Sequence, residues 1–213
     1  MTNETRENQR FSVNWEISKK FPVSRKLCFR GSWKSEISMT QKRIILDTSV
    51  YGRLVSDKIT LQNIEEKRES HRIVIYGTTI VRQELRGTPK HVTLEGKKLR
   101  ILLLNIYDSL VTRHNLEFNK LIRTLSNDYF KAYRKEDGSL SNQEINNDLV
   151  IVATATIYNL DIIVSDDERS MLSDKAIRAY KKVNKEYGIK NPIFKKFNNF
   201  KEEIARRSFQ YDT

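Results

Sequence analysis

The chain has 213 residues, enough for one sizeable core and an appendage but short of two full domains. Its single cysteine, Cys28, excludes an intramolecular disulfide and a cysteine-rich zinc site, and no run approaches the ~20 apolar residues that a membrane span requires. The formal net charge of +12 points to a polyanionic partner, nucleic acid ahead of an anionic membrane, with a solvated lysine-rich surface as the plainer alternative.

Residues 1–38 are polar and mixed in charge, contain Pro22, Gly31 and both tryptophans, Trp15 and Trp33, and show neither a helical nor an alternating pattern. They read as an N-terminal arm ahead of a domain spanning 39–213. The arm holds no apolar run of secretion-signal length, so a cytoplasmic protein is expected. At 43–52 the sequence reads R-I-I-L-D-T-S-V-Y-G. Ile44, Ile45 and Leu46 have the branching and length of a strand buried on both faces, and the run stops at Asp47, with Thr48 and Ser49 placed to cap a helix. In an open parallel sheet the carboxyl ends of the strands border the ligand crevice, so an acid at that position points at chemistry.

A short helix follows through Val50, Leu54 and Val55, and a polar helix is expected at 56–70. R-I-V-I-Y at 72–76 reads as a second buried strand ended by Gly77, with Thr78 capping a helix at 79–86. On that helix Ile80, Val81 and Leu85 share one arc, and Glu84 falls inside it. Apolar residues at helical spacing predict long helices at 94–111 and 116–133. Ser141 and Glu144 form a capping-box pair for the next helix, which is apolar almost all round from 149 to 157 and carries Asp148 on the face of Val152 and Ala155. D-I-I-V at 161–164 is another short strand, running into Ser165, Asp166 and Asp167. A helix at 173–187, a strand at 192–197 and a terminal helix at 200–209 complete the alternation. Strands alternating with helices imply an α/β fold with a parallel sheet and right-handed crossovers.

Asp47, Glu84, Asp148 and either Asp166 or Asp167 thus occupy inward or strand-end positions. Each alone is explicable as a cap or a partly exposed acid. Together they repel, by roughly 4 kcal/mol for a pair ~4 Å apart at an effective dielectric of ~20, so a cluster calls for cations, basic partners or raised pKa values. Oxygen-only ligands select the hard cations Mg²⁺ or Mn²⁺, whereas His71, His91 and His114 lie on segments that do not carry the acids. Such a site in a basic protein suggests phosphodiester hydrolysis with two metal ions.

L-D-T-S-V at 46–50, E-L-R-G at 84–87, N-D-L-V-I-V-A-T-A at 147–155 and I-V-S-D-D at 163–167 resemble, in order, the four motifs of the PIN-domain family. The resemblance spans about 43–197. It implies a three-layer α/β/α fold and a metal-dependent ribonuclease, of the kind found in VapC-type toxins of toxin–antitoxin pairs and in RNA-processing and quality-control nucleases. By the same resemblance Asp47, Glu84, Asp148 and Asp167 (or Asp166) are metal-binding acids, Ser49 assists through its hydroxyl, a homodimer is expected, and the toxin reading, as against RNA processing, adds an antitoxin partner. RNA is the expected substrate. Lys181, Lys182, Lys185, Lys195 and Lys196, interleaved with Tyr180, Tyr187, Phe194 and Phe197, are candidates to hold it, by phosphate contacts and base stacking. An equal reading makes the aromatics core and the lysines a solvated face.

Two other functions compete. A PIN-like RNA-binding or scaffold module without metal would not need the full set of acids. A phosphatase of the HAD type would place a second aspartate two positions after Asp47, where this sequence has Ser49. Dinucleotide-binding and P-loop proteins are disfavoured, because neither G-x-G-x-x-G nor G-x-x-x-x-G-K occurs.

Overall fold

The computed structural model describes residues 41–206. The chain divides after Thr40 into two units, so the arm read at 1–38, with its tryptophans and Cys28, lies outside the described residues, as does the end of the helix expected at 200–209. In chain order the elements are β1 (Lys42–Leu46), α1 (Thr48–Ser56), α2 (Lys58–Glu69), β2 (Ile73–Thr78), α3 (Thr79–Gly87), β3 (Thr93–Leu94), β4 (Lys97–Lys98), α4 (Leu99–Val111) and β5 (Asn115–Leu116). There follow α5 (Lys120–Lys135), α6 (Asn142–Ile157), β6 (Ile162–Val164), α7 (Asp174–Tyr187), β7 (Ile193–Lys195) and α8 (Phe197–Ala205).

β5, β2, β1, β6 and β7 lie side by side in that order in one parallel sheet. β1 sits in the middle because its side chains suit no other place: Ile44 and Ile45 are fully buried and Leu46 is 1% exposed. Each such side chain contributes about 1.5–3 kcal/mol by leaving water. From β1 the chain steps outward through β2 to β5, then returns to β6 and steps out the other way to β7. Right-handed crossovers in opposite directions put their helices on opposite faces. Accordingly α5 packs on α6 and α7 in one layer, while α4 packs on α1 and α3, and α2 on α8, in the other. The fold is a three-layer α/β/α sandwich.

Four boundaries differ from those read in the sequence. The strand at 72–76 does not stop at Gly77 but runs through it to Thr78, because Tyr107 packs where a β-carbon on Gly77 would stand. Tyr107 Oη then reaches the Thr78 carbonyl at 3.0 Å and the Asn115 side-chain amide at 2.7 Å, tying α4 to β2 and β5. The helix expected from 94 begins at Leu99, since 93–98 forms a small antiparallel hairpin turning at Glu95 and Gly96, both with positive φ. The helix expected from 116 begins at Lys120, capped by Asn119, which frees Asn115 and Leu116 to pair with Gly77 and Thr78 as an edge strand. The last helix starts at Phe197 rather than 200. The cap at Thr78 and the capping box of Ser141 and Glu144 stand as read.

Candidate active site

All five parallel strands end on one edge of the sheet, and the chain reverses its direction of winding between β1 and β6, where adjacent carboxyl ends open a crevice. Asp47 follows β1 there and Ser165, Asp166 and Asp167 follow β6, with Asp47 N–H donating to the Val164 carbonyl at 2.9 Å. α3 brings Glu84 to the same place and α6 brings Asp148. The four acids share one electrostatic neighbourhood. Burial pushes the Asp148 carboxyl up to about 7, the Ser170 hydroxyl opposes this, and the charges of Asp47, Asp167 and Glu84 add to it.

What holds the acids in place is mostly neutral. Asp47, 5% exposed, accepts at Oδ2 from Ser49 Oγ and Ser165 Oγ, each at 2.8 Å. Glu84 accepts from Thr48 Oγ1 on one oxygen and Asn147 Nδ2 on the other, both at 2.5 Å, so α1, α3 and α6 meet at its carboxylate. Asp167 Oδ1 accepts the backbone N–H groups of Arg169 and Ser170, each at 2.9 Å, and its Oδ2 lies 2.6 Å from Ser170 Oγ. Ser170 Oγ also contacts Asp148 Oδ2. Thr48 and Ser49 do not cap α1 as the sequence suggested. Asp47 is the N-cap, without a side-chain cap bond, and the two hydroxyls serve the acids instead.

The pair Asp166 and Asp167 separates cleanly. Asp166 is taken up by partners other than the acids: Oδ2 accepts from Arg53 Nε at 3.1 Å, Oδ1 accepts from Phe197 N at 3.0 Å at the start of α8, and its own N–H donates to Ser49 Oγ at 3.2 Å. Asp167 faces Asp148. The candidate lysines also separate. Because α7 runs away from the crevice edge, Lys181 and Lys182 lie along it and Lys185 near its far end, roughly 16 Å from its start at 1.5 Å per residue. Lys195 and Lys196 close β7 on the crevice edge, paired with Glu203 and, at 2.8 Å, Glu168. The stacking reading is corrected for Tyr180 and Phe197, which are core, while Tyr187 and Phe194 are half-buried. Tyr180 is fully buried and Phe197 4% exposed, Phe194 stacks on Tyr180 with ring centroids 5.6 Å apart, and Tyr187 bonds Asp128. Arg53 and Arg169, 63% and 79% exposed at the side chain, and Lys196 border the loop after β6, Arg53 through Asp166, Lys196 through Glu168, and Arg169 on the loop itself, paired with Glu144.

The residues that sequence reasoning passed over as functional are Thr48, Asn147, Ser165 and Ser170, together with Arg53 and Arg169. Thr48, Asn147 and Ser165 lie inside the quoted motifs. Ser170 does not, although a serine three residues after an acid is a spacing at which side chain and backbone bond locally.

The site fits a hard divalent cation by the chemistry of its donors. They are carboxylate and hydroxyl oxygens. Tyr51 Oη and Tyr180 Oη, the two buried side-chain polar atoms without a partner among the described residues, belong to the same neighbourhood. Burial raises both phenols well above their ordinary range, with added repulsion from Asp47 on Tyr51 and from Asp148 and Asp167 on Tyr180. Among the described residues no three carboxylate, imidazole or thiolate groups close tightly enough to enclose an ion by themselves. Mg²⁺ does not require that, since it keeps several waters and is held by one or two carboxylates.

No family model and no curated protein matches the chain. Among solved structures it is similar to VapBC2 from Rickettsia felis bound to a DNA fragment from the promoter, at 17% identity and a TM-score of 0.49, over 72% of this chain and 98% of that one. It is similar also to VapBC-1 from nontypeable Haemophilus influenzae, at 15% identity and a TM-score of 0.48, over 73% of this chain and 98% of that one.

Proposed function

We propose that the chain is a PIN-type endoribonuclease that hydrolyses RNA phosphodiesters with Mg²⁺ or Mn²⁺. The observation that carries this reading is the convergence of Asp47, Glu84, Asp148 and Asp167, from four separate elements, on the crevice between β1 and β6. Asp148 and Asp167 would hold the cation directly, with Asp47 and Glu84 facing a second one and Ser49 fixing Asp47. A cation bound there lowers the pKa of water and offsets charge developing on the phosphate. The chain's own groups do the rest. The neutral donors Thr48, Asn147, Ser165 and Ser170 keep the carboxylates in place without cancelling their charge, and Arg53, Arg169 and Lys196 at the mouth offer cations to the phosphates on either side of the scissile one. The finer reading, suggested by the motifs, is the toxin of a toxin–antitoxin pair, a homodimer held in check by an antitoxin protein. A small DNA-binding protein encoded immediately upstream would support it.

Glu84→Gln tests the mechanism. The amide can accept from Asn147 through its oxygen and donate to Thr48 Oγ1 through its nitrogen, so both contacts of the carboxylate survive while one charge leaves the cluster. Cleavage of single-stranded RNA in Mn²⁺ should fall by orders of magnitude, and the variant should melt no lower than wild type in EDTA. Wild-type cleavage rates in the purified variant would sink the proposal.

A further inference from the structure

Ser170 belongs to none of the motifs, yet among the described residues it is the one side chain seen to bond the carboxylates of two of the four acids. Its Oγ stands between Asp148 Oδ2, carried by α6, and Asp167 Oδ2, carried by the loop after β6. The hydroxyl is held there. Ser170 is 5% exposed, the next residue, Met171, is fully buried, and the Ser170 carbonyl accepts from Ser173 N at 3.3 Å and Ser173 Oγ at 2.9 Å, where Ser173 caps α7. The N-terminal turn of α7 thus helps to hold Ser170, together with its backbone N–H bond to Asp167 Oδ1. A hydroxyl has one proton to give and two lone pairs, so it can donate to one carboxylate and accept from the other when that one holds a proton, and unlike an arginine or lysine it brings no charge to compete with a cation.

We propose that Ser170 is a positioning residue that sets the separation of Asp148 and Asp167 for a divalent cation. The inference rests on the reading of this crevice as a metal centre. Without the bridge no bond joins these two side chains, which stand on separate elements, and a cation must first draw them together. Neighbours that orient metal-holding groups in this way typically matter by 10–100-fold in metal affinity.

The test is Mn²⁺ binding to the full chain by calorimetry, alongside RNA cleavage as a function of Mn²⁺ concentration. Ser170→Ala should bind Mn²⁺ about 10–100-fold more weakly, and need correspondingly more for half-maximal cleavage, yet approach the wild-type rate at saturating Mn²⁺. Ser170→Thr, which keeps the hydroxyl, should restore affinity. Should Ser170→Ala not fold by circular dichroism, Ser170→Cys, a side chain of similar size with a weak donor, must show the same weakening. Wild-type affinity in Ser170→Ala or in Ser170→Cys overturns the inference, as does a rate loss that saturating Mn²⁺ does not repair. Wild-type protein that binds no Mn²⁺ overturns the metal reading itself, which distinguishes the two failures.

Discussion

Asp148 shows what clustering acids does to a single residue. Its carboxyl, ordinarily at 3.8, is raised to about 7, first by burial and then by Asp47, Asp167 and Glu84, against the opposing bond from Ser170. The metal-free folded state therefore holds a proton that the unfolded state releases, and stability from this group is complete below about pH 4 and lost as pH rises towards 7. In EDTA the wild-type melting temperature should fall between pH 5 and pH 7.5, with a slope of at most about 1.4 kcal/mol per pH unit from one group. Asp148→Asn should flatten that fall, and thermal denaturation across the range checks it; an unchanged profile would mean that Asp148 titrates normally. At this scale the sequence was legible wherever an acid broke a pattern. Asp47 ends an apolar run, Glu84 interrupts an apolar arc and Asp148 sits in a buried helix. Ser170 and Asn147 break nothing, because small polar residues are ordinary in loops and on helix surfaces, and only folding reveals which acids they meet.

Among the elements, those with an apolar run or helical spacing were readable and the two-residue strands were not. β1 and α6 announce themselves by continuous apolar runs, and α5 and α7 by helical spacing. β5, with Asn115 and Leu116, has too few residues for any period to show. It exists because Tyr107, admitted by Gly77, reaches Asn115. The loop after β6 posed a different difficulty, since periodicity cannot say which of two successive acids faces the crevice. The structure answers through α8, whose first N–H, that of Phe197, donates to Asp166. Asp166 thus acts as a cap borrowed from another element and as the partner of Arg53. Asp166→Asn should destabilise the protein by about 1 kcal/mol, the usual worth of a cap, and leave cleavage within a few-fold of wild type. Asp167→Asn should abolish cleavage with little loss of melting temperature in EDTA. The reverse assignment of the two phenotypes, measured by melting and by single-turnover cleavage, would show that Asp166 is the functional acid.

Over the whole molecule the question is where a chain of net charge +12 would present that charge to the RNA of the proposed reaction. Composition promised a polyanionic partner but could not choose a face, and the run of lysines from 181 to 196 looked like one surface in the sequence. Folding distributes it along α7 and back up β7, so that Lys196 ends at the crevice while Lys181, Lys182 and Lys185 lie progressively farther from it. Arg53 meets the loop after β6 through Asp166 and Lys196 meets it through Glu168, while Arg169 stands on that loop, paired with Glu144 of α6. If the strand crosses the C-terminal edge of β1, β6 and β7, these three cations contact its phosphates. Binding to single strands loses affinity with salt at about 0.7 in the log–log slope for each phosphate contacted. In the Glu84→Gln background, which permits binding to be followed without cleavage, the combined Arg53→Gln, Arg169→Gln and Lys196→Gln variant should lower that slope by about 2. Lys181→Gln, Lys182→Gln and Lys185→Gln together should change it less. Fluorescence anisotropy of a labelled single-stranded RNA across a salt series measures both. A larger decrease from the α7 set than from the crevice set would place the RNA along α7 and remove Arg53, Arg169 and Lys196 from the substrate path.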